Sequence, residues 1–262
     1  MAIAPKHNTL NSSWDNDRVT LSRSFLRDLE GLWAEVLKLA AVAEDALNQS
    51  IHALCDGRYE LAEVFQQHKR ILDGWEVQIE HECVRVLALH QPVASDLRRV
   101  ATVLKINGDL ERLCDLAQHI AKRVKKLTRD PEAFPIPQAL ENLALVALCQ
   151  IRESLDALTQ SNISRAQVVI TADHQVDLDY RAVQKQLKLE IIRNPERINT
   201  WLRLVNTARN LERIANHAVK IAESVIYLKE GEILRHYRIH VLPKASIAAP
   251  PTSASGTINT SD

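Results

Sequence analysis

Four side chains have types and spacing that could do chemistry: Glu111 and Asp115, then Glu212 and Asn216. Glu111 and Asp115 are four apart, so a helix stacks them one turn above each other. No Lys or Arg occupies the i±3 or i±4 positions of Glu111. Like charges at that spacing cost about 0.2–0.5 kcal/mol in an isolated helix, and a bound cation would offset this. Carboxylate oxygens favour hard cations such as Mg²⁺ and Mn²⁺, and iron also suits them. In the second pair Asn216 stands where the second acid would be. An amide oxygen can ligate but carries no charge, so that site is expected to bind more weakly. The competing reading is a solvated face, with Arg112 bridging Asp109 and Asp115 at i±3 and Arg209 pairing with Glu212.

Both pairs belong to a longer repeat. Residues 110–124 set over 211–225 are identical at 7 of 15 positions, against roughly one by chance, and such self-similarity marks a repeated structural unit. Leu110, Leu113, Ala117, Ile120 and Val124 form one helical stripe, and Leu211, Ile214, Ala218, Ile221 and Val225 form its twin. Other chemistry finds little support. None of the ten histidines has a Glu three residues before it, which a ferritin-type di-iron site would need. H-E-x-x-H, G-x-x-x-x-G-K-[ST] and G-x-S-x-G are all missing. His119 and His217 read as helix-surface residues, and Trp33 and Trp75 as core. With no nucleophile–base set, an enzyme is not expected.

The elements that would position these motifs are helices. Leu29, Leu32, Trp33, Val36, Ala40, Ala43, Leu47, Ile51 and Leu54 make a first stripe ending at Gly57. A second helix runs to about His90, with Leu61, Val64, Phe65, Leu72, Trp75, Ile79 and Val86 inward. Pro92 breaks it, because proline has no amide hydrogen and restricts the residue before it. Ser95 or Asp96 then reads as the N-cap of the first motif helix, which reaches about Leu127. Pro131, Pro135 and Pro137 make a linker, after which the pattern restarts. A helix spans Leu140 to Leu158, Ser161-Asn162 is a turn, and another helix runs from Arg165 to Arg193. Its inward side chains are expected to be Val168, Val176, Tyr180, Val183 and Leu187. The second motif helix follows over about 198–230, with Gly231 as its stop. The fold class is therefore all-α, two tandem pseudo-repeated antiparallel three-helix bundles over 22–130 and 139–238. A linker at 131–138 joins them, and tails at 1–21 and 239–262 are expected to be disordered.

Composition narrows the function classes. The chain has 262 residues with 33 basic and 33 acidic side chains, and this balance argues against general nucleic-acid binding. Lys122-Arg123-Val124-Lys125-Lys126 reads as a solvated helix end. Cys55, Cys83, Cys114 and Cys149 lack C-x-x-C spacing and read as buried reduced thiols. There is no apolar run of membrane-spanning length and no signal-peptide apolar region. The expectation is a soluble cytoplasmic protein without membrane insertion.

Three stretches resemble the PhoU family of phosphate-specific transport system accessory proteins. They are Gln91-Pro92-Val93-Ala94-Ser95-Asp96-Leu97-Arg98 leading to Leu110-Glu111-Arg112 and Asp115; Asp177; and Leu211-Glu212-Arg213-Ile214 through Ile221-Ala222-Glu223 to Tyr227, Gly231, Arg235 and His236. The resemblance covers roughly residues 22–238. It implies a homodimeric, non-enzymatic negative regulator of phosphate uptake and phosphate-starvation signalling. Such proteins contact a sensor histidine kinase and the ATPase subunit of the phosphate ABC transporter. Some members of that family carry metal clusters on the acidic motifs, which map here to Glu111, Asp115, Glu212 and Asn216, and the ligand chemistry above suits Mg, Mn or Fe; the missing acid at Asn216 weakens the second site. The alternative function is a metal-binding helical bundle whose carboxylates do chemistry.

Overall fold

A computed structural model describes the backbone of residues 11–57, 60–127 and 136–234. It describes the side chains in those ranges except for 11–22 and 60–71. Among the described residues six long helices make the fold: α1 (Asn11–Asp56), α2 (Glu60–His90), α3 (Ala94–Leu127), α4 (Gln138–Gln160), α5 (Ile163–Arg193) and α6 (Ile198–Glu230). A single 3₁₀ turn at Pro195–Arg197 leads into α6. α1, α2 and α3 pack as one three-helix bundle and α4, α5 and α6 as the other. The periodic stripes explain why: all ten motif-stripe residues named above are buried.

The joints are built by local chemistry. Gly57 ends α1 at φ 66° and Gly231 ends α6 at φ 77°, left-handed conformations that glycine adopts without a Cβ penalty. Ser161 takes a left-handed φ of 49° after α4. The amides of Ser161 and Asn162 then donate to Leu158 and Ala157, satisfying the last carbonyls of α4. The Asn162 side chain accepts from the Arg165 amide at 3.1 Å and caps α5. The break at Pro92 is tighter than a simple stop, because Gln91 (φ 45°) and Ala94 (φ 49°) are both left-handed without being glycine. Such residues store strain that surrounding structure must hold.

Several expectations shift. α1 begins at Asn11, so residues 11–20 are helical rather than an unstructured tail. α3 begins at Ala94, with the Asp96 and Leu97 amides donating to the Val93 carbonyl, so neither Ser95 nor Asp96 is the N-cap. Gln138, expected at the end of the linker, is the first residue of α4. Val168 is 63% exposed and Val169 takes the core position instead. Trp33 and Trp75 are half-buried at the core's edge, where Arg99 lies over the Trp33 ring at 5.4 Å. The Trp75 indole donates to Glu35 at 3.0 Å. Cys83 and Cys114 are buried and Cys55 is half-buried, but Cys149 is exposed. Burial pushes the Cys55 thiol up to about 11 and the Cys83 thiol up to about 12. The inward positions Leu61, Val64 and Phe65, the linker before Ile136, and the tails at 1–10 and 239–262 lie outside the described residues.

The bundles are not independent. The buried apolar side chains form one contiguous core across both. α3 packs against α6 and α1 against α4, where Arg152 reaches Glu44 at 3.3 Å and Asn48 at 2.8 Å. Arg98 lies beside Gly231, Lys105 beside Tyr227, and Asp109 beside His217. Residue numbers rise along α3 as they fall along α6, so the two motif helices run antiparallel through the centre of the molecule.

Candidate functional site

The apolar stripes of α3 and α6 face inward, which leaves the polar faces of the motifs along the central helix pair. In the first repeat the Arg112 guanidinium lies 3.4 Å from Glu111 and 3.7 Å from Asp115. The two carboxylates are 19% and 29% exposed, against 66% for Arg112. The i±3 spacing also allows Arg112 to reach Asp109, but that contact is not made. Asp109 turns the other way, and its Oδ1 is 2.8 Å from Nδ1 of His217 on α6. Their side chains are only 16% and 14% exposed. His217 is thus no free surface histidine; it joins the two repeats. This pair was invisible in sequence, because no local pattern links residues 108 apart.

In the second repeat the Asn216 amide Nδ2 donates to Glu212 at 2.7 Å. Among the described residues Arg209 makes no ion pair with Glu212. A carboxylate comes from α5 instead. Burial raises the pKa of Asp173, and the neighbouring charges of Asp177 and Glu212 raise it further. Asp173 on α5 thus feels the charge of Glu212 across the α5–α6 contact as well as that of Asp177 on its own helix.

These donors fit a metal unequally. Glu111 and Asp115 are two hard oxygen ligands one turn apart, and Arg112 holds the place a cation would compete for. Glu212 and Asn216 fit poorly as arranged, because an N–H donor faces the carboxylate where a ligand oxygen is needed. Among the described residues no group of three or more His, Cys, Asp or Glu side chains is arranged as a metal site.

Beside the Asp109–His217 joint a cavity of about 680 Å³ opens between α3, α6 and the segment after α6. Lys105, Asp109, Asn216, Lys220, Glu223 and Tyr227 line it, with Ile233 and Leu234 on its apolar side. The Lys105 ammonium sits 3.9 Å from the centre of the Tyr227 ring, a cation–π geometry. A Cβ on Gly231 would come within 3.5 Å of Arg98 Nη1. The Pro92–Arg98 turn and the Tyr227–Gly231 helix end, far apart in sequence, are therefore parts of one surface. Arg235 and His236 lie outside the described residues.

Two repeats of three helices, with their motif helices paired antiparallel, define a class of twin three-helix bundle. The PhoU domain model matches residues 36–124 and again 140–225. The chain is 33% identical over 216 residues to the phosphate-specific transport system accessory protein PhoU homolog of Caulobacter vibrioides, covering 82% of this chain and 94% of that protein. The homolog of the same description in Aquifex aeolicus is 34% identical over 213 residues, covering 81% and 96%. The crystal structure of PhoU from Pseudomonas aeruginosa superposes with a TM-score of 0.76 at 32% identity, covering 79% of this chain and all of that one. The phosphate transport system regulatory protein PhoU from Streptococcus pneumoniae gives 0.72 at 28%, covering 80% and 98%. The chain belongs to the PhoU family. Among the described residues no helix is long and apolar enough to cross a membrane.

Proposed function

We propose that this protein is a non-enzymatic, cytoplasmic negative regulator of phosphate uptake and phosphate-starvation signalling. In this reading it works as a homodimer. It acts by contact with a sensor histidine kinase and with the ATPase subunit of a phosphate ABC transporter. The observation that supports it best is the two-repeat bundle, whose motif helices and Pro92–Arg98 turn meet on one surface in a chain whose relatives are named phosphate-transport accessory proteins. The division into two repeats is part of the proposal, with the first reaching back into α1 at Asn11 and the second opening at Gln138 rather than at 139. The test is affinity capture of tagged protein from phosphate-replete and phosphate-starved cells. Recovery of a sensor kinase or transporter ATPase that changes with phosphate supports the reading. Recovery of neither in both conditions, with normal repression in a deletion strain, sinks it.

A second reading concerns metal. The Glu111–Asp115 pair is the site we favour for Mg²⁺, Mn²⁺ or iron, with Glu212 and Asn216 weaker for the reason above. A cation bound only to the folded state raises its melting temperature. Millimolar Mn²⁺ should therefore stabilise the wild type and leave Glu111→Gln/Asp115→Asn unmoved; equal shifts in both would dispose of the site.

A further inference from the structure

The repeat relates each residue of 110–124 to one 101 positions later, so the residues that line the cavity described above have counterparts on the other repeat. Carrying its α6 wall back by that spacing turns Asn216, Lys220, Glu223, Ser224 and Tyr227 into Asp115, His119, Lys122, Arg123 and Lys126. Its α3 residue Asp109 carries forward to Asn210. The first surface balances Lys105 and Lys220 against Asp109 and Glu223. The counterpart sets Lys122, Arg123 and Lys126 against Asp115 alone, with His119 among them and Arg213 added from α6.

That surface also holds two donors with nothing to donate to. Asn210 is 4% exposed, and its Nδ2 is buried without a hydrogen-bond partner. Its twin Asp109 meets His217, but the position matching His217 is Leu116, which offers no acceptor. Arg123 is half-buried, and its Nη1 is likewise buried and unpartnered. Among the described residues neither Arg123 nor Arg213 forms an ion pair. The antiparallel register places Asn210 opposite the turn of α3 that carries His119, between Leu116 and Arg123. Burial holds the Arg123 pKa below its usual value. The charges of Arg123, Lys122 and Arg213 help depress that of His119, after burial. Orphaned buried donors are rare because each costs a desolvation penalty of about 1–3 kcal/mol, and two beside uncompensated cations leave room for an anion.

We propose that His119, Lys122, Arg123, Asn210 and Arg213 form an oxyanion site across α3 and α6, and that its ligand is inorganic phosphate. The oxyanion class follows from the donors; the choice of phosphate rests on the function proposed above. Arg123 and Arg213 supply charge-assisted hydrogen bonds and Asn210 a neutral one. Asp115, one turn before His119, disfavours a fully ionised anion. A protonated phosphate can donate its hydrogen to that carboxylate, whereas sulfate carries no such proton at neutral pH.

Equilibrium dialysis of the purified full-length protein with radiolabelled inorganic phosphate tests this, with sulfate and glycerol phosphate as competitors. The expected result is saturable binding, weakened tenfold or more in Arg123→Gln and in Arg213→Gln, and unchanged in the exposed α5 variant Lys185→Gln. Arg213 is exposed, so its variant keeps the assay informative if Arg123→Gln folds poorly. Failure of phosphate to saturate the protein, undiminished binding in both arginine variants, or equal competition by sulfate overturns the proposal. Stronger competition by glycerol phosphate than by phosphate itself overturns the choice of free phosphate. Partner capture in cells is a separate readout, so loss of this site and loss of the adaptor reading are distinguishable.

Discussion

Replacing Asp109 by alanine perturbs the polar joint between the repeats. The Asp109–His217 contact is 2.8 Å long and both side chains are at least four-fifths buried. Its removal forfeits a net hydrogen bond and leaves a shielded imidazole nitrogen without its partner. Those losses come to about 1–3 kcal/mol together. For a domain of this size that is a fall in melting temperature of about 2–4 °C per kcal/mol. Because one core runs through both bundles, urea unfolding monitored by circular dichroism should show a single transition, and the shift in midpoint converts directly to stability. The double-mutant cycle with His217→Ala should return a coupling of about 1 kcal/mol. Asn210 provides the internal control. Its Nδ2 has no partner to lose, so Asn210→Ala should change stability by less than about 1 kcal/mol without phosphate. The reasoning fails if Asn210→Ala costs as much as Asp109→Ala, or if the coupling in the cycle is zero.

Asp173 carries a raised pKa, so its favourable protonated form is fully present below the ordinary carboxylate range and is lost as pH rises through the folded value. Asp173→Asn should therefore raise the melting temperature at pH 7 in metal-free buffer, by an amount that vanishes in acid; thermal melts at pH 7 and pH 3 check both ends. Of the four cysteines, Cys149 alone should react with a thiol reagent in the native protein at pH 8. Cys55 and Cys83 have pKa values near 11 and 12, and Cys114 is buried; mass spectrometry after alkylation would locate the label. Val169→Ala should cost about 2 kcal/mol by leaving a cavity, and Val168→Ala almost nothing, which denaturant midpoints would separate.

Much of the fold was legible because helix burial is a local matter. Leu110 through Val124 and Leu211 through Val225 repeat at the helical period, and that period alone turns them to one side. Gly57, Ser161-Asn162 and Gly231 marked their breaks through backbone chemistry that neighbours cannot override. The period was ambiguous only where apolar residues run on without a gap. Val168, Val169 and Ile170 allow more than one phase, and packing of α5 against α4 and α6 chose the face with Val169. The start of α3 escaped for a different reason: Gln91 and Ala94 adopt left-handed conformations that their residue types do not announce.

The candidate site divides along the same line. Sequence by itself determined the two motif helices, their twinned positions and the acid missing at Asn216, because each is a matter of residue type and spacing within one helix. Only tertiary structure decided what those side chains meet. Asp109 finds His217, Asp173 feels the charges of Asp177 and Glu212, and Arg98 lies against Gly231 because α6 packs on α3 and α5. Contacts between helices depend on crossing and register, which follow from how whole apolar faces interlock. No spacing within one helix encodes them, so Asn210 and Arg123 could not be known to lack partners until both helices were in place.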